Sequence, residues 1–124
     1  MATRVLLVDD SILMRRMIRD TLSDIGMEVA GEAASGEEAV RVFKETRPDV
    51  VTLDIVMPGT DGMYALENIL ALAPEARIVV VSALNQTRMI SEAIRKGAYD
   101  FIAKPFLPEQ LQETVRRCSE GSAA

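Results

Sequence analysis

Short apolar runs alternate along this chain with longer stretches whose apolar residues recur every three or four positions. Val5-Leu6-Leu7-Val8, Val50-Val51-Thr52-Leu53 and Ile78-Val79-Val80-Val81 are too short for helices and rich in β-branched residues. That is the pattern of strands buried on both faces in a parallel sheet. Asp100-Phe101-Ile102-Ala103 follows the same pattern. Strands are predicted at Arg4–Val8, Glu28–Ala33, Val50–Leu53, 77–81 and 100–103, the second more mixed and suited to a sheet edge.

Between these runs the period changes to that of a helix. Ser11 is a candidate N-cap, Met14, Ile18, Leu22 and Ile25 follow on one stripe, and Gly26 can close that helix. Ser35 and Glu38 make a capping box ahead of Ala39, Val40 and Phe43, in a helix that must stop before Pro48. A third helix is predicted over 63–72, and a fourth carries Met89, Ile90, Ala93 and Ile94 with Gly97 as its stop. The fifth starts near Pro108 and places Leu111, Val115 and Cys118 on one stripe. The order is (βα)5. With right-handed crossovers this gives an α/β fold, a doubly wound parallel sheet with helices on both sides, in a single domain. The domain is expected to span 1–118, with 119–124 as a flexible C-terminal tail of small and polar residues.

Composition narrows the picture. At 124 residues, 48% of them hydrophobic and none of them Trp, the chain can bury an aliphatic core without a disulfide or a structural metal. A single cysteine, Cys118, cannot form an internal bridge, and no targeting segment is in view, which points to a reducing, cytoplasmic setting. No apolar run approaches the ~20 residues of a membrane span. The net charge of −5 argues against direct binding of nucleic acid. The absence of histidine excludes His-dependent triads and HExxH zinc sites, and leaves hard, oxygen-liganded cations as the metal class to consider.

The candidate chemistry stands where strands end. Asp9-Asp10-Ser11 follow the first, Asp54 the third, Ser82 the fourth and Lys104-Pro105 the fifth. In a parallel sheet these ends share one edge, where open α/β folds bind ligands. Taken singly they are ordinary loop residues, solubilising or solvated. Together, three carboxylates repel one another and call for a proton or a cation, and Mg2+ suits oxygen ligands. A hydroxyl, an ammonium and a cation would jointly stabilise the equatorial oxygens of a transferring phosphoryl group. A cis Lys104–Pro105 bond is a candidate device for aiming the lysine inward.

The motifs V-L-L-V-D-D-S, D-V-V-T-L-D-I-V-M-P-G-T-D-G, V-V-V-S-A and F-I-A-K-P, in this order and spacing, resemble the receiver domain of two-component response regulators. The resemblance is to the single-domain, CheY-type chemotaxis regulators in particular, and covers nearly the whole chain. It implies the flavodoxin-like strand order 2-1-3-4-5, which is that family's own and so is not an independent expectation. It implies Asp54 as the phosphoacceptor, and Asp10, Asp54 and the backbone carbonyl of Val56 as Mg2+ ligands, with Asp9 acting directly or through a water. Ser82 would donate a hydrogen bond to the phosphoryl group and Lys104 would pair with it. Ser82 and Phe101 would be the switch residues, the aromatic turning inward on activation, although Phe101 fits equally well as a plain core residue on a buried strand. Thr60 stands where the family's loop often has a second Met, and Phe101 lacks the hydroxyl of a switch Tyr. Apolar Val56 and Leu84, flanking the approach of water, imply slow hydrolysis of a phosphoaspartate.

The function so implied is a phosphorylation-activated signalling switch rather than a conventional enzyme. A histidine kinase of the chemotaxis type would donate the phosphoryl group, and a target such as the flagellar motor switch would sense it. A phosphatase is a further candidate partner, and the chain is expected to be a monomer without membrane or nucleic-acid contacts. One alternative is a receiver domain of a larger regulator, a methylesterase or a transcription factor. Another is a haloacid-dehalogenase-like phosphatase, which resembles D-x-D after the first strand, whereas here Asp9 and Asp10 are adjacent and the candidate nucleophile follows the third. A flavin carrier fails on charge, since the carboxylates would repel its phosphate.

Overall fold

The computed structural model describes residues 2–57 and 61–121, apart from the side chain of Leu84; Thr60 therefore lies outside the described residues. Five strands form one parallel sheet: β1 (Arg4–Val8), β2 (Glu28–Ala33), β3 (Val50–Leu53), β4 (Ile78–Ala83) and β5 (Asp100–Lys104). Their order is β2-β1-β3-β4-β5, the doubly wound arrangement expected. Successive side chains of a strand point to opposite faces, and each face is covered by its own helices. α1 (Ile12–Ser23) and α5 (Pro108–Glu120) cover one, packing Ile18, Leu22, Leu111 and Val115 on Val5, Leu7, Val50 and Val79. α2 (Gly36–Thr46), α3 (Gly62–Leu72) and α4 (Thr87–Lys96) cover the other, packing Phe43, Leu66, Ile69 and Ile90 on Leu6, Val8, Leu53 and Val80. Each such side chain taken fully out of water contributes roughly 1.5–3 kcal/mol.

Local signals decide where the helices start and stop. The Ser11 hydroxyl accepts from the Met14 N–H at 3.1 Å, and Ser35 from the Glu38 N–H at 3.2 Å. The Glu38 carboxylate reaches back to the Ala34 N–H at 2.6 Å, one residue ahead of a standard capping box. α2 ends as expected before Pro48, with Arg47 in the left-handed region at φ 45 and the Arg4 guanidinium donating to the Thr46 carbonyl at 2.8 Å. α4 ends at Gly97, whose φ of 124 is one that L side chains rarely adopt.

Several sequence expectations need correction. β5 is not buried on both faces: as the outer strand it has a neighbour only in β4, and Ile102 alone of its residues is buried. β4 and β5 run further than expected because Ser82 pairs with Ala103 and Ala83 with Lys104, so Ser82 and Lys104 are strand residues rather than the first residues of loops. Ile25 lies past the end of α1 and is exposed, and Ile94 is exposed on α4. A single 3-10 turn, Leu84–Gln86, precedes α4. α5 continues beyond 118 through Glu120, its Cys118 carbonyl accepting from Arg77 at 2.6 Å and its C-cap Gly121 left-handed.

Candidate functional site

β1 and β3 are neighbours with Val8 opposite Leu53, so the residues after them emerge side by side. The ladder continues past both strand ends: Asp54 N–H donates to the Val8 carbonyl at 2.9 Å and Asp9 N–H to the Ala33 carbonyl at 3.1 Å. Asp9 and Asp54 are buried, while Asp10 is exposed. Each of the three offers a carboxylate oxygen, and these lie within 4.8 Å of one another. Backbone donors orient two of them, Ser11 N–H on Asp9 Oδ1 at 2.9 Å and Val56 N–H on Asp54 Oδ1 at 3.2 Å.

Lys104 closes this cluster from the far side of the sheet. Its ammonium donates to Asp9 Oδ2 at 2.8 Å and to Asp54 Oδ2 at 3.4 Å. The Lys104–Pro105 peptide is cis. Burial pushes the Asp54 carboxyl above its ordinary value; the Lys104 charge opposes this and the Asp9 charge reinforces it. Burial by itself would lower Lys104, yet its hydrogen bond to Asp9 and the two carboxylate charges outweigh that and hold it above an ordinary lysine. The ammonium is therefore charged at neutral pH, and the charged form of Asp54 is the one its surroundings accommodate poorly. Such a group gains from a further cation beside it.

The remaining predicted residues are placed differently. Ser82 is fully buried on β4, but its hydroxyl donates to the Gln86 side-chain oxygen, which also accepts from the Ala83 N–H at 3.1 Å. Phe101 is 43% exposed on the outer strand β5, so it is not a core residue, and its side chain stands at the surface. Val56 presents its side chain to solvent, and the side chain of Leu84 lies outside the described residues. Cys118 sits far from this chemistry, and burial pushes its thiol up to about 12, so it is inert.

Three residues with a bearing on the site carried no readable signal as individual positions. A Cβ on Gly62 would stand 2.0 Å from the Asp54 carbonyl oxygen and 2.5 Å from Ile55 Cα, so only glycine lets α3 start against the loop that carries Asp54. Gln86 holds the Ser82 hydroxyl, and Arg15 donates to the Asp9 carbonyl at 2.5 Å. Gly62 stands in the motif after Asp54, but its close approach depends on α3 folding back, which no local spacing announces.

The donor set is all oxygen, the ligand class of a hard divalent cation, and the three carboxylate oxygens lie close enough together that one small ion could reach all of them. Among the described residues no helix is long and apolar enough to cross a membrane.

Residues 5–116 match the family model of the response regulator receiver domain. The chain is 48% identical over 120 residues to the chemotaxis protein CheY of Thermotoga maritima, an alignment covering 97% of this chain and 100% of that one. Among solved structures it is similar to the response regulator domain of Thermotoga maritima CheB, with a TM-score of 0.90, 38% identity and coverage of 97% of this chain and 98% of that one. It is also similar to a chain of the CheX-CheY-BeF3-Mg2+ complex from Borrelia burgdorferi, with a TM-score of 0.87, 36% identity and coverage of 91% and 86%.

Proposed function

This chain belongs to the response regulator receiver domain family of two-component signalling, and from that premise we propose that it is a switch phosphorylated on Asp54 by a chemotaxis-type histidine kinase. The observation that carries the reading is the convergence of Asp9, Asp10 and Asp54 oxygens beside the Lys104 ammonium. An Asp54 carboxylate oxygen attacks the phosphorus of the kinase phosphohistidine. The P–O bond forms as the P–N bond breaks, and the imidazole leaves with the electron pair and takes a proton from solvent. Asp10, Asp54 and the Val56 carbonyl would hold Mg2+, with Asp9 acting directly or through a water. Mg2+ bound there supplies charge neutralisation for the phosphoryl oxygens.

The chain's own residues then carry the signal. Lys104 gives up its longer contact to Asp54 and pairs with the phosphoryl group, and Ser82 exchanges Gln86 for a phosphoryl oxygen. Phe101 and the surface of α4, β5 and α5 respond, and a target such as the flagellar motor switch binds there. The CheY name of a close full-length relative supports the chemotaxis assignment, and the BeF3-Mg2+ complex of a similar chain supports the cation and the phosphoryl site. Val56, an exposed apolar side chain beside Asp54, offers an attacking water no hydrogen bond, which supports slow hydrolysis and a need for a partner phosphatase. The likeness to the CheB response regulator domain favours one second reading, the same switch within a larger regulator.

Incubation with a small phosphodonor and Mg2+ should yield one acid-stable, base-labile acyl phosphate. Asp54→Asn should abolish it, because an amide is neither a comparable nucleophile nor an anionic ligand. Chelation of Mg2+ should stop labelling, and Lys104→Ala should keep labelling but lose the gain in target binding. Full labelling of Asp54→Asn at another residue would overturn the assignment.

A further inference from the structure

Arg15 is the nearly buried cation of α1 that the proposed chemistry does not use: its side chain is 14% exposed. Its NH1 donates to the carbonyl of Asp9 at 2.5 Å, and its Nε to Glu32 Oε1 on β2 at 2.7 Å. Glu32 also accepts from Arg19, one turn further along α1. The Arg19 hydrogen bond, seconded by Arg15, holds the Glu32 carboxyl below the usual carboxylate range, so this anchor stays ionised. The carbonyl that Arg15 grips belongs to the peptide joining Asp9 to Asp10. Rotation of that peptide moves the exposed carboxylate of Asp10 relative to the buried one of Asp9. A planar guanidinium makes both bonds at once in a fixed fork, which a lysine ammonium on its flexible stem cannot reproduce.

We infer that Arg15 is a positioning residue for the cation site: anchored by Glu32, it fixes the Asp9–Asp10 peptide and thereby where those carboxylates meet a divalent ion. The inference rests on the reading of Asp9, Asp10 and Asp54 as that site. It makes a prediction opposite to simple charge. Removing a positive charge beside an acidic cluster should strengthen cation binding, whereas loss of positioning should weaken it.

The test is a MgCl2 titration of the full chain, followed by the amide resonances of Asp9, Asp10 and Val56 and by calorimetry. Arg15→Ala should raise the Mg2+ Kd about tenfold and Arg15→Lys nearly as much, while Arg19→Ala, which does not touch Asp9, should stay within about twofold. In phosphodonor labelling the Mg2+ requirement of Arg15→Ala should rise while the rate at saturating Mg2+ stays unchanged. Arg15→Lys, which keeps the charge and loses the fork, carries the test should Arg15→Ala not fold, and Glu32→Ala, which frees the guanidinium without removing it, should weaken binding in the same direction. A Kd that is unchanged or lower in the folded variant overturns the inference alone. A parent chain that binds no Mg2+ at these residues overturns the cation site and this inference with it.

Discussion

Asp9, on the β1 side of the site, is held at its N–H, its carbonyl and both carboxylate oxygens, by Ala33, Arg15, Ser11 and Lys104. Ser82, on the β4 side, depends for its hydroxyl on one amide, that of Gln86 in the short turn before α4. The contrast separates two tasks. Charges that repel one another must be fixed before a ligand arrives, because reorganising them during reaction would cost what preorganisation saves. A donor that reports the ligand must instead be able to change partner at small cost, and a single neutral hydrogen bond is worth only about 1 kcal/mol.

The strongest way to break the fixed half is Gly62→Ala. The new methyl would fall 2.0 Å from the Asp54 carbonyl oxygen, against backbone that cannot rotate away. A loss of about 3 kcal/mol and a fall in Tm of roughly 10 °C are expected, with weaker Mg2+ binding. Urea melts and a Mg2+ titration check it, and a parental melt would mean the loop shifts freely.

Lys104→Met comes next. It leaves the Asp9 and Asp54 carboxylates unpaired, and with the lysine side chain 21% exposed we expect a loss of about 2 kcal/mol at neutral pH, below the cost for a fully buried pair. The pH dependence has a definite sign. Lys104 has its folded value raised, so its stabilisation is fully present below the ordinary lysine value of about 10.4 and is lost as pH rises through the folded value. Parental stability should fall in that alkaline window, and the Met variant should lack this component.

A smaller effect of opposite sign is expected for Asp54→Asn. Asp54 is raised, so the folded protein favours its neutral form, and stability rises as pH falls through the folded value toward the unfolded one. The amide imitates that neutral form and should stabilise the fold by about 1 kcal/mol at neutral pH while abolishing labelling. Calorimetric melts that show destabilisation would contradict the electrostatic account.

Gln86→Ala sharpens the exchangeable half. It should cost about 1 kcal/mol, the low end for a buried hydroxyl left without its partner, and speed labelling, because Ser82 no longer has to leave that partner. Slower labelling would mean that Gln86 holds the hydroxyl where the phosphoryl group needs it.

Much of the fold and part of the site were legible because they rest on short-range physics. The β-branched runs of β1, β3 and β4 announce buried strands, Ser11 and Ser35 announce helix starts, and Pro48 announces a stop. Asp9, Asp10 and Asp54 were legible because a parallel sheet puts the residues after its strands on one edge. The outer position of β5 was less legible, since the run around Phe101 has the composition of a central strand and only its lack of an outer neighbour exposes it.

By itself, then, the sequence determined the alternation of elements, their caps and the residues that stand at strand ends, all set by local periodicity and backbone preference. Only the tertiary structure decided that Lys104 spans Asp9 and Asp54, that Gln86 holds Ser82, that Arg15, anchored by Glu32, grips the Asp9 carbonyl and that α3 leaves no room for a Cβ at Gly62. The Lys104 contacts join segments 95 and 50 residues apart, and the contacts that Arg15, Gln86 and Gly62 make with nearer residues form only through the turns and helix starts between them. Their geometry therefore depends on strand register and helix packing, which no local run of residues encodes.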